Sequence, residues 1–120
     1  MQYALLIYQG TTPLPTDLEA WATLSKDEQK AIYADYGAIN KTPGVTPGLP
    51  LGLPAKATTV RVQDGKTATT EGPFLGAEGS IGGYFVFEAD DLDAAIALAA
   101  RIPAARLGGA IEVRPVETYW

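Results

Sequence analysis

The 120-residue chain is long enough for one compact domain, residues 1–120, whose core needs no staples. Nine Lys+Arg against fourteen Asp+Glu leave a net charge of -5, a surface that repels phosphate backbones, so no nucleic-acid partner is expected. The absence of Cys and His removes disulfides, thiolate zinc, cysteine nucleophiles, imidazole bases and histidine-held zinc or haem, and no cofactor is expected.

The chain opens on an apolar run, Tyr3 to Tyr8, with β-prone Tyr and Ile and no alternating polar residue. That pattern predicts a strand with both faces covered. The run is far too short to span a bilayer, which takes about 20 residues, and it lacks the positive start of a signal peptide. No membrane partner and a cytoplasmic location are therefore expected. Gly10 to Pro15 reads as a turn. Thr16-Asp17-Leu18-Glu19 and Ser25-Lys26-Asp27-Glu28 both match the pattern of a reciprocal helix cap. They predict a short helical turn carrying Trp21, then a main helix over Lys26 to Ile39 that buries Ile32, Tyr36 and Ile39.

Between Asn40 and Ala55, Pro43, Pro47, Pro50 and Pro54 interleave with Gly44, Gly48 and Gly52. Proline at that spacing forbids a helix and a central strand, so a long ordered loop is expected. Thr58 to Gln63 alternates, Asp64-Gly65 is a two-residue hairpin signal, and Lys66 to Thr70 returns. Pairing Gln63 with Lys66 sets Thr58 against Glu71 and puts Arg61 and Glu71 on opposite hairpin faces. A glycine-rich connection, Gly76 to Gly83, leads to a strand over Tyr84 to Phe87, again apolar on both faces. Asp90-Asp91-Leu92-Asp93 caps a second helix with the core stripe Leu92, Ile96 and Ala99, stopped by Pro103. Ala110 to Val116 is the last strand, and Pro115 argues for a sheet edge.

Strand, helix, loop, hairpin, strand, helix, strand is an α+β order close to the split βαβ, ferredoxin-like arrangement, with an added hairpin or loop in the middle. Helices would cover one face of such a sheet. The strands that read apolar on both faces then call for a cover on the other, and a homodimer packed sheet to sheet is the simplest closure.

Thr59-Val60-Arg61-Val62, Asp64-Gly65-Lys66, Glu71-Gly72-Pro73-Phe74, Gly82-Gly83-Tyr84 and Glu112-Val113-Arg114-Pro115-Val116 occur in this order. They resemble the YCII-related family, and more narrowly its branch named after a D-G-P-F tetrapeptide. Tyr3 to Tyr8 and Asp91 to Ala95 fit as well, so the resemblance covers nearly the whole chain. It implies a dimeric α+β barrel and a family whose biochemical role is largely unassigned. Some members carry the label "transcription initiation protein" or accompany extracytoplasmic-function sigma factors. This chain has Glu71 where an Asp is usual, and no lysine in Leu75 to Ser80. Relatives in the wider family have a His-Asp pair suspected of catalysis; a chain without His cannot use it.

Arg61, Glu112 and Arg114 sit at alternating strand positions inside otherwise apolar elements. On faces lining a barrel interior, two guanidiniums and one carboxylate suit a small carboxylate or enolate, which arginine grips bidentately. The competing reading is an ion-pair network without a ligand. Glu71, on the turn that Gly72 and Pro73 fix, is the candidate general base, with Glu112 as the other proton carrier. Tyr84 is the further substrate-binding candidate. Trp21, Tyr33 and Tyr36 read as core rather than pocket. The glycines at 76, 79, 82 and 83 precede a strand, not a helix, so they make no phosphate loop. Two functions are expected from these residues: a cofactor-independent enzyme acting on a small acidic or enolisable metabolite, or a non-catalytic metabolite-binding or sigma-factor-associated accessory protein. No metal site is expected.

Overall fold

The computed structural model describes residues 1–76 and 79–119. In chain order it contains β1 (Gln2–Tyr8), α1 (Leu18–Ala22), α2 (Lys26–Asn40), β2 (Val45–Thr46), β3 (Thr58–Gln63), β4 (Lys66–Glu71), β5 (Ile81–Glu88), α3 (Leu92–Ala99) and β6 (Ala110–Pro115). β2, β5, β1 and β6 form an antiparallel sheet in that order. This is the ferredoxin-like strand order, with the β3–β4 hairpin inserted as a separate two-stranded sheet.

α2 starts as its sequence predicts. Ser25 Oγ accepts from the Glu28 N–H at 3.1 Å, and Glu28 answers by accepting from the Ser25 N–H at 3.0 Å. The Thr16–Glu19 cap is not made. Asp17 caps α1 instead, accepting from the Ala20 N–H at 3.3 Å, because a carboxylate one residue later satisfies the same orphan donors. Pro115 does end an edge strand.

The loop expected over Asn40–Ala55 contains a strand. Val45 and Thr46 pair with Phe87 and Val86, and Pro50 bridges to Gly83, so the loop runs along the outer edge of β5. Each proline lies outside the two paired residues of β2, which is how a proline-rich segment still adds a strand. β5 likewise begins earlier than its apolar pattern suggests, taking in Ile81, Gly82 and Gly83. Ala77 and Glu78 of the preceding connection lie outside the described residues.

The core lies on one side of the sheet. Tyr3, Leu5 and Ile7 of β1 and Phe85 and Phe87 of β5 are buried there against Ile39, Leu98 and Ile102. The α3 stripe is rotated from the expected one. Ala95, Leu98 and Ala99 are buried while Leu92 and Ile96 stay half exposed. Alanine at 95 and 99 lets the helix backbone lie close to the sheet, and the close approach leaves Leu92 and Ile96 on the outer side. Among the described residues no helix packs on the sheet's other face. Leu6, at its centre, stands opposite Tyr84 on one side and Glu112 on the other, and Ala4 stands opposite Val86 and Arg114.

The hairpin projects from this body. Val60 and Val62 are 60% and 68% exposed, and every residue of β4 is exposed. The radius of gyration is 16.1 Å, against about 13.6 Å for a compact chain of this length. Asp64 and Gly65 have φ of 53° and 75°, the two positive values that a type I′ turn demands. Gly65→Val would force a β-branched residue into that conformation, costing about 1–2 kcal/mol. Faster amide exchange across β3 and β4 is the expected result; unchanged exchange would contradict it.

Candidate functional site

Where β1 ends, the chain turns sharply. The Thr12 N–H donates to the Gln9 carbonyl at 2.9 Å, and Gly10 takes φ 56° in between. A Cβ at Gly10 would meet the Gly108 carbonyl, so only glycine fits this turn. The β1–β5 register slips between Ile7 and Tyr8, leaving Gly82 as an extra residue in β5. Such a bulge re-aims the side chains around it. Gln9 lies directly over Gly82, in the space a side chain there would fill.

Turn and bulge together put Gln9 and Thr12 on the wall of a cavity of about 320 Å³ between the sheet, α1, α2 and the proline-rich loops. That volume falls at the lower end of small-molecule sites. Its floor is Ile7 and Phe85, and its sides are Trp21, Ile32, Tyr33 and Tyr36, with Leu14 and Leu49 from the loops. Trp21 and Tyr33 meet edge to face at 5.6 Å, and Tyr36 stacks on Phe85 at 6.4 Å. α1 is tied to α2 by Gln29, whose amide donates to the Trp21 carbonyl at 3.0 Å. A smaller cavity of about 240 Å³ shares Gln9, Thr12, Leu14 and Gly82 with the first, and adds Asp17 and Ser80. A wider open groove of about 470 Å³ runs along the hairpin base past Phe74 and Leu75, but its lining is almost wholly apolar.

Its aromatic lining sets the first cavity apart. Among the described residues Gln9 Oε1 and Thr12 Oγ1 have no hydrogen-bond partner, and both atoms are fully covered, behind the wall rather than on its surface. Burial pushes the Tyr36 phenol up from its ordinary pKa, while a hydrogen bond with Gln9 and the Arg106 charge pull it partway back. The phenol therefore stays protonated and can donate at neutral pH. Among the described residues, no Asp, Glu, Lys or Arg lines this cavity. The arrangement can grip and polarise a neutral molecule.

The residues picked out by sequence are spread over two other regions. Arg61 and Glu71 lie on opposite faces of the hairpin, as the register requires. The Arg61 guanidinium sits 5.5 Å over the Phe74 ring. Glu112 and Arg114 are exposed on β6, on the helix-free face of the sheet. Among the described residues none of these four forms an ion pair; the two that occur join Arg106 to Asp35 at 2.7 Å and the N-terminus to Glu88 at 2.7 Å. None of the four lines the 320 Å³ cavity. Tyr84 does, although it alternates with the buried Gly83 and Phe85 and is 44% exposed. Trp21, Tyr33 and Tyr36, read from sequence as core, are cavity wall. Sequence reasoning passes over Gln9 and Thr12, for which the only signal is their place on either side of a glycine at a strand's end.

An antiparallel four-stranded sheet with two crossover helices on one face is an α+β fold of the ferredoxin-like class. The model of the YCII-related domain matches residues 1–119, and the chain belongs to that family. No curated protein matches it. Among the described residues no helix is long and apolar enough to cross a membrane.

Proposed function

We propose that the chain is a homodimeric small-molecule-binding protein whose ligand occupies the cavity between the sheet and helices α1 and α2. The observation that carries this reading is the enclosed cavity of about 320 Å³ walled by Trp21, Tyr33, Tyr36 and Phe85. A binding role fits better than acid–base chemistry in this cavity, because among the described residues its lining holds no carboxylate or imidazole to take a proton. Nuclear magnetic resonance titration with 2-naphthol tests it. Saturable shifts of the Trp21 indole N–H and of the Gly82 and Gly83 amides are expected; shifts confined to surface residues, or none, would overturn the reading.

The partner proposed for the helix-free sheet face is a second copy. Glu112 and Arg114 stand two residues apart on that face, so a two-fold axis between them pairs each arginine with the other protomer's glutamate. Leu6, Tyr84 and Val86 supply the apolar centre. The exposed Arg61, Glu112 and Arg114, which form no ion pair among the described residues, support a second reading. In it the dimer gathers them with Glu71 into a site for a small acidic or enolisable metabolite, worked without a cofactor. Saturable binding of a small carboxylate, lost in Arg114→Met, would favour that reading.

A further inference from the structure

The β3–β4 hairpin is covered very little by the rest of the chain. Apart from Thr59, every residue of its two strands is exposed. It is held at its base, where the Gly72 N–H donates to the Ala57 carbonyl and the Thr59 hydroxyl to the Gly72 carbonyl, both at 2.8 Å. Register sets Val60 opposite Thr69 and Val62 opposite Thr67, so these four uncharged residues share one face. Arg61 lies on the other face, over Phe74. A two-stranded hairpin is marginally stable by itself in water, so an arm with a bare valine face calls for a cover.

A surface of matching character opens at the hairpin's base. The groove of about 470 Å³ there is lined by Leu51, Leu53, Phe74, Leu75 and Ile81, and Lys56 is its one charged residue among those described. Phe74 and Leu75 are 67% and 62% exposed. Ile81 pairs with Tyr8, which alternates with the buried Ile7, so by register Ile81 stands on the helix-free sheet face with Leu6 and Tyr84. Groove and sheet face therefore meet at Ile81.

Dimensions point to a second copy as the occupant. At ~4.8 Å between strands and ~3.4 Å per residue, the helix-free face measures roughly 400 Å², about half of the ~800 Å² per partner in a standard stable interface. The six-residue strands of the hairpin reach about 20 Å, close to the width of that sheet. Two copies that exchange arm and groove supply the missing area. Two-fold symmetry uses both surfaces at once: each arm leaves its own groove and ends in the other, the two arms lying antiparallel across the axis. We infer that β3–β4 is a dimerisation arm whose Val60 and Val62 fill the groove at the base of the other protomer's hairpin, an assignment that rests on the sheet-to-sheet dimer proposed above.

A dimer mixed from isotope-labelled and unlabelled full-length chains tests this by filtered nuclear Overhauser spectroscopy. Contacts from the Val60 or Val62 methyls of one chain to Phe74, Leu75 or Ile81 of the other are expected. Sedimentation reads a second consequence. Val60→Lys combined with Val62→Lys puts two ammonium groups into an apolar groove and should raise the dimer's dissociation constant about tenfold or more. Ala68→Gln, on the arm's other face, should leave that constant within about twofold. All three positions are exposed, so circular dichroism should show the fold retained. A dimer without interchain valine contacts, or one whose constant the lysines leave unchanged, would overturn the arm and leave the sheet-to-sheet dimer standing. Valine contacts to another part of the partner would overturn the groove assignment. A monomeric parent protein would overturn the dimer, and this inference with it.

Discussion

Leu6→Arg is expected to convert a dimer of twice the 12.6 kDa chain into a folded monomer. Leu6 is half buried at the centre of the helix-free face, between Tyr84 and Glu112 in register. Two-fold symmetry puts two copies of any substitution there into one interface, so two arginines would enter an apolar patch together. Glu112, beside each new arginine, is then lost to the partner's Arg114, so one guanidinium per protomer is buried unpaired. At about 3–5 kcal/mol, that weakens association by roughly two to nearly four orders of magnitude. The fold should survive, because Leu5 and Ile7, not Leu6, point into the core. Light scattering at micromolar concentration reads the mass, and circular dichroism checks the fold. A parent protein that is already monomeric, or a variant that stays dimeric, would rule out sheet-to-sheet assembly.

How much of the fold is legible in the sequence depends on how local each signal is. The Ser25–Glu28 cap and the Asp64-Gly65 turn are decided within four residues, and both form as the residues dictate. The order of elements reveals the split βαβ topology because each strand or helix involved is long enough to show its period. β2 escapes such reading because two residues show no period, and their strand conformation comes from Phe87 and Val86 about forty residues away. The α3 stripe departs from expectation for a related reason. Leu92 and Ile96 are larger and more apolar than Ala95, but the buried face is set by how closely an alanine-rich helix can approach the sheet.

The candidate site is harder still. Charged residues inside apolar strands draw attention to Arg61, Glu112 and Arg114, and each stands on a surface that only a partner could close. The cavity instead depends on a register slip at Gly82 and on a proline-rich loop held along the edge of β5, neither of which has a local signature. The aromatics of α2 are visible, but helical spacing cannot distinguish a filled core from a cavity wall.

Two glycines bordering the cavity give opposite expected results for the same substitution, and the contrast tests how the cavity is built. A Cβ at Gly48 would collide with the Tyr84 carbonyl, a backbone group that cannot step aside without pulling the loop from β5. Gly48→Ala should therefore cost about 1–3 kcal/mol or more, and lower the melting temperature by several degrees. A Cβ at Gly82 would first meet the side chain of Gln9, at Cγ, Cδ and Nε2. Clearing Cγ takes a turn of the first side-chain torsion, which moves Gln9 on the cavity wall but leaves the backbone in place. Gly82→Ala should therefore lower the melting temperature less than Gly48→Ala does, yet weaken 2-naphthol binding several-fold, because the displaced side chain lines the cavity. Thermal melts and calorimetry on the two variants separate the effects. If Gly82→Ala loses stability as Gly48→Ala does, Gln9 is held in place by packing that the bulge requires. If it keeps both stability and affinity, the ligand does not reach the wall that Gln9 lines.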